Sequence, residues 1–197
     1  MGETATSGLS DRFADAMQYA WQLHRRQSRR KNNTPYISHL LAVAALVMEH
    51  GGNEDEAIAA LLHDAVEDQG GMPTAGVIEH RFGVNVKEIV LACSDYTGEP
   101  KPPWRQRKEN LLNQLASGNH SCRLVAAADK LHNLRCVLAD YRLHGELTWE
   151  SFHGGKEGTL WFYREMTRLL VDVLPGSLTD ELSRTMCALE YLSKSRD

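Results

Sequence analysis

The chain has 197 residues, of which 42% are hydrophobic and 24% are charged. These values are ordinary for a soluble globular protein, and the length suffices for one well-buried core without demanding a second domain. The formal net charge of −4 at pH 7 argues against nucleic acid as the main partner, because proteins that bind the phosphate backbone are usually basic overall.

The sequence carries no recognisable targeting or disulfide signal. The first residues lack the basic-then-apolar order of a signal peptide, and no apolar run approaches transmembrane length. The four cysteines are far apart and form no CxxC motif, which is typical of reduced thiols rather than of a disulfide framework. We therefore expect a cytoplasmic protein with no membrane partner, and the oligomeric state stays open.

Apolar residues at helical spacing predict helices along most of the chain. Ser10 or Asp11 is expected to cap the first helix, after a flexible segment over residues 1–10. Asn53 followed by Glu56 has the spacing of a capping box and opens the third helix. The first predicted helix begins at residue 11 and ends in the basic stretch 25–31. The other predicted helices are residues 38–50, 53–69, 73–82, 85–94, 104–116, 121–144, 156–174 and 179–193.

Prolines and glycines mark the breaks between these helices. Pro35 disfavours helix at the preceding residue, Gly51-Gly52 follows the second helix, and residues 95–103 form a loop rich in proline and glycine. Thr179 is expected to cap the last helix. Because the sequence shows no convincing alternating strand and no Asn-Gly hairpin, we predict an all-α fold of roughly eight to ten helices, with residues 11–195 as one domain.

The most informative stretch is Leu61–Asp68, in which the pair His63-Asp64 is followed by the pair Glu67-Asp68. On one continuous helix, residues four apart lie one above the other, so Glu67 would follow His63 by one turn. Ionised carboxylates in an apolar setting repel one another and lose hydration unless a cation compensates. A divalent metal on the first pair, with the second pair working beside it, is the simplest compensation.

A metal needs ligands from further helices, and His39 and Asp129 are the candidates. Both lie inside apolar helical stretches, where an unpaired carboxylate would be costly. Two imidazoles and two carboxylates form a mixed nitrogen and oxygen site that suits Mn²⁺, Fe²⁺ or Zn²⁺. The alternative interpretation is that His39 caps its helix and that Asp129 pairs with Lys130.

Three segments of the chain, residues 34–39, 63–68 and 129–134, resemble in order and spacing the HD-superfamily hydrolase domain of RelA/SpoT-type alarmone enzymes. The resemblance spans residues 30–163. It implies one metal ion, usually Mn²⁺ with Fe²⁺, Zn²⁺ or Co²⁺ as substitutes. The implied ligands are His39, His63, Asp64 and Asp129.

The resemblance also implies a reaction, in which Glu67 and Asp68 form the couple that activates water. A metal can lower the pKa of water and neutralise charge on the attacked phosphorus, and a nearby carboxylate can take the proton. The implied substrate is a phosphorylated purine nucleotide, guanosine 5′-diphosphate or 5′-triphosphate bearing a 3′-pyrophosphate. Hydrolysis would release that pyrophosphate. The chain is expected to be a stand-alone small alarmone hydrolase.

Five residues are implied to contact the nucleotide. Arg30 and Lys31 match the basic pair of the family, Asn133 matches its ribose contact, and Trp161 and Tyr163 are candidate aromatic contacts. An arginine offers a planar fork for a base or phosphate, and a lysine offers a point charge. The alternative interpretation places the two aromatic residues in the core.

Two other functions stay open at this stage. One is an HD-type phosphohydrolase of another nucleotide, such as an adenosine analogue of the alarmone, a 2′-phosphate-bearing dinucleotide (NADPH) or a nucleoside monophosphate. The other is a non-catalytic nucleotide-binding module, against which the intact Glu67 and Asp68 count. Residues 98–105 are not typical of the long bifunctional enzymes, and this departure bears on substrate preference more than on chemistry.

Overall fold

The computed structural model describes residues 8–29, 33–96, 98 and 100–194. Within these residues the chain is mostly helical, which confirms the predicted all-α fold. The helices are α1 (Asp11–His24), α2 (Ile37–Glu49), α3 (Glu54–Leu62), α4 (Ala65–Asp68), α5 (Gly71–Phe82), α6 (Val84–Cys93), α7 (Trp104–Ser117), α8 (His120–His144), α9 (Gly155–Val173) and α10 (Ser177–Lys194).

Helix α8 is the longest of these helices, with 25 residues, and it lies at the centre of the fold. It packs against α2, α3, α6 and α10. Residues 124–128 are buried over more than one full turn, because small alanines allow neighbouring helices to approach from several sides. Asp129 continues this buried run, so the fold places a carboxylate among apolar side chains.

Three polar residues begin the helices that matter most for the site. Ser10 accepts a hydrogen bond from the backbone of α1, and Asn119 does the same for α8. Asn53 and Glu56 form the predicted capping box at the start of α3. These side chains satisfy backbone donors that a helix leaves unpaired at its N-terminus.

The prediction of one continuous helix through the central motif is wrong. Helix α3 ends at Leu62, His63 and Asp64 lie in a turn, and the short helix α4 follows. The His63 ring donates from Nδ1 to the carbonyl of Ala60 over 2.8 Å. This carbonyl is the one that the backbone of Asp64 would use in a continuing helix, so the imidazole competes with the helical hydrogen bond.

Four other local predictions need correction. Helix α1 ends at His24 rather than within residues 25–31. Ser28–Arg29 (β1) and Thr34–Pro35 (β2) pair as a short antiparallel hairpin, where no strand was predicted. Two-residue strands are too short to show alternation in a sequence. Gly145–Ser151, outside the predicted helices, forms a 3₁₀ helix. Thr179 lies inside α10 and donates to the carbonyl of Leu174 over 2.8 Å, so it does not cap that helix.

The four cysteines carry free thiols, as predicted from their spacing. Burial raises the pKa of the thiols of Cys93 and Cys122, so both stay protonated at neutral pH. Within the described part of the chain, no helix combines the length and the apolarity that crossing a membrane requires.

The capping box at α3 gives a test of the fold. Asn53→Ala removes the side chain that accepts from the backbone of Glu56 over 3.0 Å. The free energy of unfolding is expected to fall by about 1 kcal/mol. Asn110→Ala is the matched control, because Asn110 is exposed inside α7 and alanine there has the higher helix propensity. Urea titration checks both variants, and equal stability of the two would refute the role of the cap.

Candidate metal centre and active site

Helices α2 and α8 and the turn after α3 bring four predicted ligands together. His39 Nε2 lies 3.2 Å from Asp129 Oδ1, and His63 Nε2 lies 3.1 Å from Asp64 Oδ2. The two crossed distances, His39 to Asp64 and His63 to Asp129, are both 3.6 Å. Ligand atoms of His39, His63 and Asp129 all lie within 4.8 Å of one another, and these three residues are buried.

The donor atoms of this cluster suit a cation. His63 uses Nδ1 to donate to Ala60, so in the neutral form of its ring the lone pair lies at Nε2. That Nε2 atom is buried without a hydrogen-bond partner among the described residues, and it faces two carboxylates. Converging lone pairs and carboxylate charges need a positive ion between them. A mixed set of imidazole and carboxylate donors fits a divalent transition metal.

The charges of the cluster reinforce one another. Burial favours the neutral form of every group, but Asp64 and Asp129 outweigh it and raise the pKa of His63 well above its ordinary value. Burial likewise acts to raise the pKa of Asp64 and Asp129, but the pKa of each carboxyl lies well below its usual range because His63 and, for Asp129, Lys130 favour the charged form. A metal would replace the proton on His63, so metal affinity should fall as the pH is lowered.

The four residues are themselves held in place. Tyr36 donates its hydroxyl to Asp64 Oδ2 over 2.6 Å, and the ring nitrogens Nδ1 of His39 and His132 are 2.8 Å apart. Such contacts orient metal ligands and fix the histidine tautomer. Burial and the charge of Asp64 raise the pKa of Tyr36, so this hydroxyl remains a donor.

The two oxygens of the Asp129 carboxylate contact different partners. Lys130 Nζ lies 2.5 Å from Asp129 Oδ2, while Oδ1 of the same carboxylate faces His39 and His63. The residue thus pairs with its neighbour and also belongs to the cluster. His39 does not cap its helix, because the N-cap position of α2 is Tyr36.

Glu67 and Asp68 lie on α4, one turn beyond the cluster. Glu67 Oε2 accepts from the backbone nitrogen of Asp95 over 3.0 Å, and its other oxygen is 3.7 Å from Lys101 Nζ. Burial raises the pKa of Glu67, which moves this carboxylate toward the range of a general base near neutral pH. Asp68 accepts from Gln27 Nε2 over 2.8 Å.

A cavity of about 270 Å³ adjoins the cluster. Lys130 and Asn133 line it, and each also contacts Asp129. Lys108 adds a second cation, 4.9 Å above the ring of Phe162. Two ammonium groups beside aromatic walls are suited to a ligand that combines phosphate with a planar ring. The remaining lining includes Trp104, Phe152, His153, Gly154 and Tyr163.

The predicted nucleotide contacts fall in different places. Asn133 and Tyr163 line the cavity. Trp161 lies behind it and packs edge-on against Trp104, with the Arg105 guanidinium 3.2 Å above its ring. The predicted contacts at positions 30 and 31 lie outside the described residues.

The structure adds residues that the sequence reasoning did not select. Arg29 donates to Asn133 Oδ1 over 2.7 Å. In the sequence, Tyr36 belongs only to the motif at residues 34–39 that carries the resemblance, and Lys108 belongs only to the predicted helix 104–116. His132 had a signal, because it lies next to Asn133 and three residues after Asp129. Arg29 and Tyr36 contact partners that are 104 and 28 residues away in the sequence, and such contacts leave no periodic signal.

The HD domain family model matches residues 16–153 of the chain. The chain belongs to the HD domain family. Membership implies a divalent metal centre, and His39, His63 and Asp129 supply a possible site for it.

Relatives of this HD domain are named as hydrolases. Guanosine-3′,5′-bis(diphosphate) 3′-pyrophosphohydrolase MESH1 of Xenopus tropicalis is 39% identical over 124 residues, which cover 61% of this chain and 66% of the relative. The protein of the same name from Homo sapiens is 36% identical over the same shares of both chains. The chain thus spans just under two thirds of the length of these curated relatives.

Solved structures share the architecture of this HD domain. One is described as a metazoan ortholog of SpoT that hydrolyses ppGpp and plays a role in starvation responses. It has a TM-score of 0.68 at 26% identity and covers 96% of this chain and 97% of that chain. A 1.85 Å crystal structure of a Listeria monocytogenes EGD-e protein has a TM-score of 0.64 at 29% identity, covering 81% and 98%.

The geometry of the cluster predicts which histidine a metal needs. His39→Ala is expected to lower Mn²⁺ affinity by more than about 100-fold, because losing a ligand should exceed the 10–100-fold cost of losing an outer partner. His50→Ala is the control, because His50 bonds to the carbonyl of Leu46 at the end of α2. Isothermal titration with Mn²⁺ and metal analysis compare the two. Equal affinities would show that the metal lies elsewhere.

Proposed function

We propose that this chain hydrolyses the 3′-pyrophosphate of guanosine tetraphosphate and pentaphosphate. Water attacks phosphorus, the bond between phosphorus and the ribose 3′-oxygen breaks, and the products are GDP or GTP and pyrophosphate. The observation that carries the proposal is the cluster of the buried His39, His63 and Asp129 with the partly buried Asp64, with Glu67 and Asp68 one turn away. Relatives named as 3′-pyrophosphohydrolases of guanosine-3′,5′-bis(diphosphate) support it.

In this proposal His39, His63, Asp64 and Asp129 hold one Mn²⁺ ion. The donor set supports Mn²⁺, and Fe²⁺, Zn²⁺ or Co²⁺ could occupy the same ligands. When bound, the metal supplies Lewis-acid chemistry that offsets charge at the attacked phosphorus. Tyr36 keeps the Asp64 carboxylate oriented toward the cluster by its 2.6 Å hydrogen bond.

Glu67 and Asp68 are proposed to take the proton of the attacking water. Glu67 suits this work because its buried position raises its pKa while the backbone of Asp95 fixes one of its oxygens. A base with a pKa nearer to the working pH accepts a proton more effectively in the transition state. Asp68 lies on the same short helix and presents a second acceptor.

The nucleotide is proposed to occupy the cavity beside Asp129. Lys108 and Lys130 would attract phosphate, and Asn133 and Tyr163 would contact the ribose and the base. Three further contacts, Arg30, Lys31 and Trp161, rest on the resemblance alone. Residues 11–195 are proposed to act as one hydrolase domain, an idea supported by the apolar core that joins α1 to α10.

A product assay with Mn²⁺ tests the proposal. The panel contains ppGpp, pppGpp, the adenosine analogue, NADPH and nucleoside monophosphates, and ion-exchange chromatography resolves the products. We expect GDP and pyrophosphate from ppGpp. Preference for NADPH or an adenosine substrate would instead identify another HD-type phosphohydrolase. Failure to convert any member would indicate a nucleotide-binding module.

Glu67→Gln separates the chemistry from metal binding. The amide cannot take a proton, so kcat is expected to fall by about 10²–10⁴-fold while bound metal stays unchanged. In the parent chain, the rate should fall as the pH drops through the raised pKa of Glu67, because only the ionised carboxylate is a base. Glu79→Gln is the control, because Glu79 pairs with Lys87 on the surface. An undiminished kcat in Glu67→Gln would remove Glu67 from the mechanism.

A further inference from the structure

The end of α1 forms a hydrogen-bond relay to Asp68 that involves none of the proposed metal ligands. His24, only 1% exposed, has its Nδ1 atom 2.8 Å from Gln27 Oε1. Gln27 Nε2 in turn donates to Asp68 Oδ2 over 2.8 Å. Gln69 Nε2 donates to the same Gln27 Oε1 over 2.6 Å. His24, Gln69 and Asp68 therefore all contact the carboxamide of Gln27, and Asp68 is one of the two proposed catalytic acids.

Only one orientation of the Gln27 carboxamide satisfies all these partners. An ionised carboxylate can only accept hydrogen bonds, so Gln27 must present its NH₂ group to Asp68. Its oxygen then faces two donors, Gln69 and the N–H of His24. Burial lowers the pKa of His24, so this imidazole is neutral and carries its single proton on Nδ1.

The relay is also anchored through the backbone. Gln27 N donates to the carbonyl of His24 over 2.9 Å, and the carbonyl of Gln27 accepts from Tyr36 N over 3.1 Å. The ring of His24 stacks on the ring of Tyr36 with centroids 5.1 Å apart. The backbone N–H and the backbone carbonyl of Gln27 are thus both hydrogen-bonded. This limits the motion of the Gln27 side chain and of the Asp68 carboxylate that it contacts.

We propose that Gln27, held by His24 and Gln69, is a positioning residue that orients Asp68 for the proposed hydrolysis. The inference rests on the proposed function. Asp68 is exposed to solvent and would otherwise sample several rotamers, and a misplacement of about 1 Å can cost about 100-fold in rate. Glu67 takes its orientation from the Asp95 backbone instead, so Gln27 acts on one acid of the pair.

A double-mutant cycle tests the relay. Gln27→Met removes the donor at nearly constant volume and is expected to lower kcat about 10–100-fold, with KM and Mn²⁺ content unchanged. In an Asp68→Asn background, the same change should cost less than about twofold, because its target is gone. Gln22→Met is the control, because Gln22 is exposed on α1. If the kcat losses of Gln27→Met and Asp68→Asn simply multiply in the double variant, the proposal is wrong.

A second pair of variants asks whether His24 acts through its donor. The amide nitrogen of His24→Asn can replace the Nδ1–H group, whereas His24→Leu offers no donor. We expect His24→Asn to keep most of the parent kcat and His24→Leu to lose as much as Gln27→Met. Equal losses in the two variants would reduce His24 to a packing role and contradict the relay.

A measurement without substrate separates this proposal from the proposed function. In ¹H–¹⁵N spectra, the side-chain amide signals of Gln27 are expected to shift on Asp68→Asn and to stay in place on Glu67→Gln. If no nucleotide of the panel is hydrolysed but this shift is seen, the proposed function fails and the relay stands. If ppGpp is hydrolysed and the chemical shifts of the Gln27 amide do not change on Asp68→Asn, the relay alone is wrong.

Discussion

The carboxylate of Asp129 is buried in the central helix of an apolar core, and the surroundings of the site follow from that constraint. An isolated ionised carboxyl there would be prohibitively costly. The chain offsets the charge with Lys130 on one oxygen and with the imidazoles of His39 and His63 facing the other. Because the two imidazoles come from α2 and from the end of α3, the cluster assembles when those helices pack on α8.

His63 and Asp64 are adjacent in the turn between α3 and α4, and their Nε2 and Oδ2 atoms lie 3.1 Å apart. The backbone of both residues stays in the right-handed helical region, so the orientation of the His63 ring, not a reversal of the chain, brings these atoms together. The ring of His63 helps to end α3 by occupying the Ala60 carbonyl, and the same hydrogen bond directs its Nε2 toward the carboxylates. One contact therefore both ends the helix and orients the donor.

The helices could be read from the sequence because apolar periodicity and capping are local signals, as at Asn53 and Glu56. The break after Leu62 could not, since it depends on a side chain capturing a carbonyl, which periodicity does not record. The residues of the metal cluster could be predicted because they are polar side chains inside otherwise apolar helical stretches. Partners such as Tyr36 and Arg29 were missed because only the folded chain brings them within 2.6–2.7 Å of Asp64 and Asn133.

The two acids on α4 are held by different kinds of hydrogen-bond donor, one from the backbone and one from a side chain. This difference determines how freely the sequence of the loop at residues 95–103 can vary. Glu67 is held by a backbone N–H of that loop, a donor that every residue except proline provides. The loop can therefore depart from the sequence of the long alarmone enzymes while still holding Glu67. Asp68 depends on the side chain of Gln27, and few other residues place a neutral donor at that reach. Substitution in the loop should thus leave Glu67 in place as long as residue 95 keeps its backbone N–H, whereas substitution at Gln27 should release Asp68.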